Sequence, residues 1–167
     1  MLRLWVNQDE FERHKLDFKV DGAPAVWGYA AWAGLFDGGG KFPLRNLPPL
    51  LNHNIEGGAL VINGATFQSG IGTHAPGKIA FSLQGKFSRF SAFAGLDATS
   101  TGSRGVIYSI LADGREIFRS PKLYLGADPF LIDVPVAGVR ELVLNADQTE
   151  FTNTGCNVDW VDLKFNP

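Results

Sequence analysis

An all-β domain, either a sandwich or a barrel, is what this sequence predicts, and three observations carry the prediction. The second half breaks into short apolar runs about ten residues apart, separated by turns drawn from the chain's 20 glycines and nine prolines. Several runs alternate apolar and polar residues with the two-residue period of a half-buried strand. No comparable 3.6-residue stripe occurs in that half.

The elements follow in order. Residues 1–50 read as an irregular N-terminal extension that packs on or completes the sandwich, and residues 51–167 read as the sandwich itself. Within the extension, residues 7–15 suit a short polar helix or turn, and Leu16-Asp17-Phe18-Lys19-Val20 alternates as a strand ending at Asp21-Gly22. Residues 25–36 fit either a helix or an extended segment, with Gly28 and Gly34 weighing against the helix. Residues 43–49 read as an extended, proline-bounded connector. Strands are expected over residues 59–62, 78–83, 87–95, 106–111, 116–120, 130–136, 141–146 and 158–165. The run 87–95 is rich in small and apolar residues, which suits an internal strand covered on both faces. Asp113-Gly114 between two apolar runs is the local signal for a tight hairpin. In Gly70-Ile71-Gly72-Thr73-His74-Ala75-Pro76 the glycines and the proline predict a sharp turn that holds His74 at a rim.

Composition narrows the function classes. At 167 residues, with 45% hydrophobic and 19% charged, the chain is long and apolar enough to bury one core. A net charge of −2 argues against a phosphate-tracking surface, so no nucleic-acid partner is expected. No apolar run reaches the roughly 20 residues that a membrane span needs. The N-terminus shows no signal-type apolar core after basic residues. The single cysteine, Cys156, has no intrachain disulfide partner and reads as a buried strand residue. Scattered His14, His53 and His74, with no strained serine elbow, give no hydrolase constellation. Zinc-ligand spacing is absent, and the glycines before His74 do not open a dinucleotide-binding helix.

Four landmarks recur in a telling order. They are Leu60-Val61-Ile62-Asn63-Gly64 leading through Phe67 to Gly70-Ile71-Gly72-Thr73-His74-Ala75; residues 90–97; the loop and hairpin through Gly105, Asp113 and Gly114; and Asn157-Val158-Asp159-Trp160. Over about residues 52–165 the chain resembles the NPCBM family, galactose-binding β-sandwich modules attached to glycoside hydrolases. The resemblance implies a jelly-roll-like antiparallel β-sandwich that binds terminal galactose or related sugars without altering them. It further implies a catalytic domain in the same polypeptide, and a secreted parent protein that is extracellular or periplasmic. Some members hold calcium, so a structural calcium ion is part of what it implies, with no ligand set assigned. Asn157 stands where many members carry histidine, and an amide can still bond a hydroxyl. Ala98 follows Asp97 where many members have a second acid.

Neutral sugars need an aromatic face and a few planar donors and acceptors. The candidate ligand-binding residues are His74, Thr73, Asp97, Arg104, Asn157, Asp159 and Trp160. Each has a plainer reading: His74 as a turn histidine bonded to backbone, Asp97 with Arg104 as a loop-holding pair, and Trp160 as core. With Trp160 inward, strand alternation points Asp159 to solvent or to a loop-end partner. Trp27, Tyr29 and Trp32 are the aromatic-platform candidates, with a secondary core as their alternative role. Asp97 and Asp159 form only a nominal catalytic pair. The competing function is a structural or protein-docking sandwich of a larger polypeptide, which an exposed surface over residues 27–36 would favour.

Overall fold

The structure is a computed structural model, and it describes residues 18–20, 23–29, 50–101, 103, 105–148 and 156–167, with the backbone alone for 18–29 and for Gln148. Thirteen strands form: β1 (Phe18–Val20), β2 (Ala23–Tyr29), β3 (Leu50–Leu51), β4 (Leu60–Ile62), β5 (Ala65–Phe67), β6 (Gly70–His74), β7 (Gly77–Ser82), β8 (Arg89–Leu96), β9 (Val106–Ala112), β10 (Arg115–Arg119), β11 (Phe130–Pro135), β12 (Glu141–Gln148) and β13 (Asn157–Asn166). No helix occurs among the described residues. The strands pair antiparallel into a six-stranded sheet ordered β1-β2-β7-β12-β9-β10, a five-stranded sheet ordered β11-β8-β13-β6-β3, and the hairpin β4-β5. The all-β sandwich expected from the sequence is thus the architecture.

Alternation builds the core. From the six-stranded sheet Ile79, Phe81, Tyr108, Ile110, Leu142 and Leu144 turn inward, and they meet Ile71, Phe90, Ala94, Ile132, Trp160 and Phe165 of the other sheet. Trp160 lies edge-on to Tyr108 with ring centroids 5.0 Å apart, and the Tyr108 hydroxyl donates to the Gly95 carbonyl at 2.6 Å. A buried phenol needs such an acceptor, and here it also ties the two sheets together. The outer face of the five-stranded sheet carries a second, smaller cluster. Val161 packs there against Leu60 and Ile62 of β4, with Phe67 and Phe93 at its margin. Between Val161 and Lys164 the β13 register slips by one residue, and Asp162 sits at φ +50°. This bulge lets Val161 face outward while Leu163 and Phe165 return to the core.

The Asp113-Gly114 hairpin forms as expected. Both residues have positive φ, as the turn that matches strand twist requires, and Asp113 Oδ1 accepts from the Arg140 and Glu141 amides. The expected strand ending at Val20 is present as β1, and residues 25–36 are extended as far as Tyr29. The 7–15 helix, the 43–49 connector and the platform side chains of Trp27, Tyr29 and Trp32 lie outside the described residues.

One local expectation is corrected. Gly70–His74 is a strand, not a turn; the chain reverses after it, at the cis Ala75–Pro76 bond. Its glycines answer close approach. A Cβ on Gly72 would stand 2.3 Å from the His53 carbonyl oxygen, and one on Gly70 would stand 2.4 Å from that of Trp160.

Candidate functional site

The site is built where three strands of the five-stranded sheet end together. β13 runs between β6 and β8, with Asn157 opposite His74, Val158 opposite Thr73 and Leu96, and Asp159 opposite Gly72 and Gly95. Cross-strand partners share a face and chain neighbours do not. His74, Asn157, Asp97 and Asp159 therefore stand on the outer face, while Thr73 and Trp160 stand on the inner one. Thr73 is 1% exposed beside Val158, and Trp160 is part of the core, so neither presents a surface to a ligand there. This corrects their expected role as contacts. Arg104 lies outside the described residues.

The loop 52–59, between β3 and β4, roofs this face. Its pivot is Asn54, whose Oδ1 accepts from the Glu56 and Gly58 amides and whose Nδ2 donates to the Ala59 carbonyl and to Asp97 Oδ1. Asp97 Oδ1 also accepts from the Thr99 amide and hydroxyl, and Oδ2 accepts from the Val61 amide at 3.1 Å. Burial raises the Asp97 pKa, but hydrogen bonds from Asp159, Thr99 and Val61 outweigh it and hold the group below its ordinary value. Asp97 is thus a buried strut for the roof.

Asp159 is fully buried between two glycines, and neither of its oxygens has a donor of its own. Burial first, then the hydrogen bond with Asp97 and that group's charge, pushes its pKa up to about 10. At neutral pH it keeps its proton and donates it to Asp97. The loop-end partner expected for Asp159 is therefore Asp97, and solvent exposure is excluded. Calcium takes six to eight oxygen ligands. At this pair one carboxyl is neutral and the other is already met by four protein donors, and no group of three or more His, Cys, Asp or Glu gathers among the described residues. Asp97 and Asp159 are therefore not laid out as ligands for that ion.

Towards solvent the character changes. Asn157 Nδ2 donates to Glu56 Oε1 at 3.0 Å and to Thr99 Oγ1 at 2.8 Å, while its own Oδ1 is buried without a donor. His74, half-buried, bonds the Cys156 backbone, and Glu56 lies close enough to act on its charge. Burial lowers the His74 pKa, against the pull of that bond and of Glu56, so the ring is neutral at pH 7. A neutral imidazole carries one donor and one acceptor. The rim is thus an imidazole, a carboxylate and a hydroxyl around a buried amide, with Glu56 exposed and Thr99 half-buried. Glu56 and Thr99 were not among the expected site residues. The signal for Glu56 lay in Asn52-His53-Asn54-Ile55-Glu56-Gly57-Gly58, a polar, glycine-ended stretch of the kind that forms side-chain-closed turns.

Comparison with known proteins fits this architecture. The NPCBM/NEW2 domain family matches residues 43–166. An alpha-1,3-galactosidase B of Akkermansia muciniphila is 29% identical over 119 residues, covering 69% of this chain and 15% of that protein. A protein of Renibacterium salmoninarum named for endo-alpha-N-acetylgalactosaminidase activity is 29% identical over 110 residues, covering 66% of this chain and 7% of that protein. The chain therefore spans only a small part of either relative. Among solved structures, the CBM51 module of a Clostridium perfringens GH95 protein in complex with methyl-galactose superposes with a TM-score of 0.65 at 21% identity, covering 71% of this chain and 87% of that one. CBM51-2 of C. perfringens ZmpB, in complex with GlcNAc, superposes with a TM-score of 0.63 at 22% identity, covering 70% of this chain and 27% of that one. At such identities the structural likeness is one of fold. The match over residues 43–166 goes further: the chain belongs to the NPCBM/NEW2 domain family.

Proposed function

We propose that the chain is a non-catalytic carbohydrate-binding module that takes terminal galactose-type sugars at the His74–Asn157 end of the five-stranded sheet. In this role it holds an attached glycosidase of a secreted parent protein on its glycans. The observation that carries the reading is the cross-strand pair itself. Asn157 is buried and so is a support rather than the ligand contact expected of it: its Nδ2 holds exposed Glu56 beside half-buried His74, so an imidazole and a carboxyl that can meet hydroxyls converge at one rim. The glycosidase relatives and the sugar-bound CBM51 neighbours support it. Turnover is not what the carboxyls are built for. A hydrolytic pair brackets a bond with about 5 Å or more between carboxyls, whereas Asp97 and Asp159 share one hydrogen bond under a closed roof.

Calorimetry with methyl galactoside, lactose and N-acetylgalactosamine tests the reading. Binding in the micromolar to millimolar range is expected, roughly −8 to −4 kcal/mol. His74→Ala should weaken it about tenfold, the worth of one well-placed hydrogen bond. Absence of heat at high sugar concentration from folded protein overturns the proposal, as does unchanged affinity in the variant.

A further inference from the structure

The charge at the rim is one-sided. Glu56 is exposed, yet it is tied at both ends: its amide donates to Asn54 Oδ1 at 3.1 Å, and its Oε1 accepts from Asn157 Nδ2 at 3.0 Å. Asn157 gives its other amide hydrogen to Thr99 Oγ1, and the Thr99 hydroxyl donates to Asp97 Oδ1. A chain of three hydrogen bonds thus joins the exposed carboxylate to a second one, buried beneath the roof.

Acceptors outnumber donors along this chain. Among the described residues only Asn157 donates to the Glu56 carboxylate, which leaves Oε2 for a ligand. Asn157 is 2% exposed, and its Oδ1 has no donor either. Nor does a cation offset the charge. The ion pairs of the described residues, Arg89 with Asp133 and Arg119 with Glu116, involve neither the loop 52–59 nor Asp97. His74, beside Glu56, is neutral at pH 7.

A sugar entering the rim therefore meets negative charge and lone pairs. A hydroxyl can donate to Glu56 Oε2, and an ammonium can do so with its charge also favoured. A carboxylate or a sulfate brings like charge and no donor. We infer that Glu56 makes the rim a charge filter, which takes terminal sugars that are neutral or carry an amine and disfavours the same sugars when they carry a carboxylate or a sulfate. This rests on the sugar-binding reading above and names the class of sugar it admits.

Calorimetry at pH 7 with methyl galactoside, its primary amine and its uronate, which differ only in the group on the exocyclic carbon, tests the filter. Wild-type affinity should fall in the order amine, hydroxyl, carboxylate. About tenfold should separate the ends at low salt, the scale of two unit charges changed against one carboxylate across a solvated gap. The spread should close at about 1 M salt, where the screening length is about 3 Å. In Glu56→Gln, whose Oε1 can still accept from Asn157, it should close at low salt too. Equal wild-type affinities, or the reverse order, overturn the filter and leave the sugar site standing. An order that persists at high salt, or in folded Glu56→Gln, also overturns it. Wild-type protein that binds none of the three overturns the sugar-binding reading and the filter with it.

Discussion

Asp159 shows how one buried carboxyl sets a pH dependence. Its folded pKa, about 10, lies far above the ordinary 3.8, so folding takes up a proton at every pH between the two values. Stability from this group is full below about pH 4 and falls as pH rises, by at most about 1.4 kcal/mol per unit. His74 acts in the opposite sense, its lowered pKa costing stability below its ordinary 6.5, so the carboxyl is best isolated between pH 7 and 9. Asp159→Asn supplies an amide N–H to Asp97 with no proton uptake. Denaturant titrations should show wild-type stability dropping from pH 7 to 9 and the variant nearly flat, and more stable than wild type at pH 9; parallel slopes would refute the shared proton. The sequence could bring Asp159 and Trp160 together as neighbours on opposite faces, and so give Trp160 its core alternative. It could not show that Asp97 lay within reach, because that contact joins β8 to β13 and depends on their register. Glu56 escaped notice for the same reason: its partner Asn157 is 101 residues away.

Strand β6 was read as a turn because glycine is ambiguous in a sequence. The same residue serves where φ is positive and where backbones crowd, and only the second applies at Gly72. The two glycines flanking Asp159 should differ in their tolerance of a methyl group. At Gly72 a Cβ would strike backbone atoms of His53 and Asn54 at 2.3–2.6 Å, and the roof loop would have to move. At Gly95 it would meet one side chain, Ile62, with Cγ2 at 2.5 Å, rather than the backbone of the roof loop. Gly72→Ala is therefore expected to cost about 3 kcal/mol and to disturb the rim, and Gly95→Ala about 1–2 kcal/mol with sugar binding kept. Chemical denaturation with parallel sugar titration checks both, and a Gly72→Ala protein as stable as Gly95→Ala contradicts the crowding argument. Elements defined by alternation or by a specific turn, such as β7 to β13 and the Asp113-Gly114 hairpin, were legible. The short β3 and β5 were not, since two or three residues carry no period.

At the scale of the whole molecule, the family match and the folded sheet have different limits. The match begins at residue 43, yet the six-stranded sheet starts with β1 and β2, and β2 pairs with β7 from Ala25 opposite Phe81 to Tyr29 opposite Lys78. Strand β7 supplies Ile79 and Phe81 to the core and pairs with β12 on its other side. Without β2 it becomes an edge, and its outward amides and carbonyls form a template for another chain. A protein beginning at residue 43 should then melt several degrees lower than the full chain, since about 1 kcal/mol moves the midpoint of a domain this size by roughly 2–4 °C. It should also self-associate as concentration rises. The rim should survive, because His74, Asn157 and their partners belong to the other sheet. Thermal melts, sedimentation and sugar titration read these effects separately. A shortened chain with the full chain's midpoint and no self-association would show that β2 is an accessory to the sheet; loss of sugar binding in a folded shortened chain would show that the extension reaches the site.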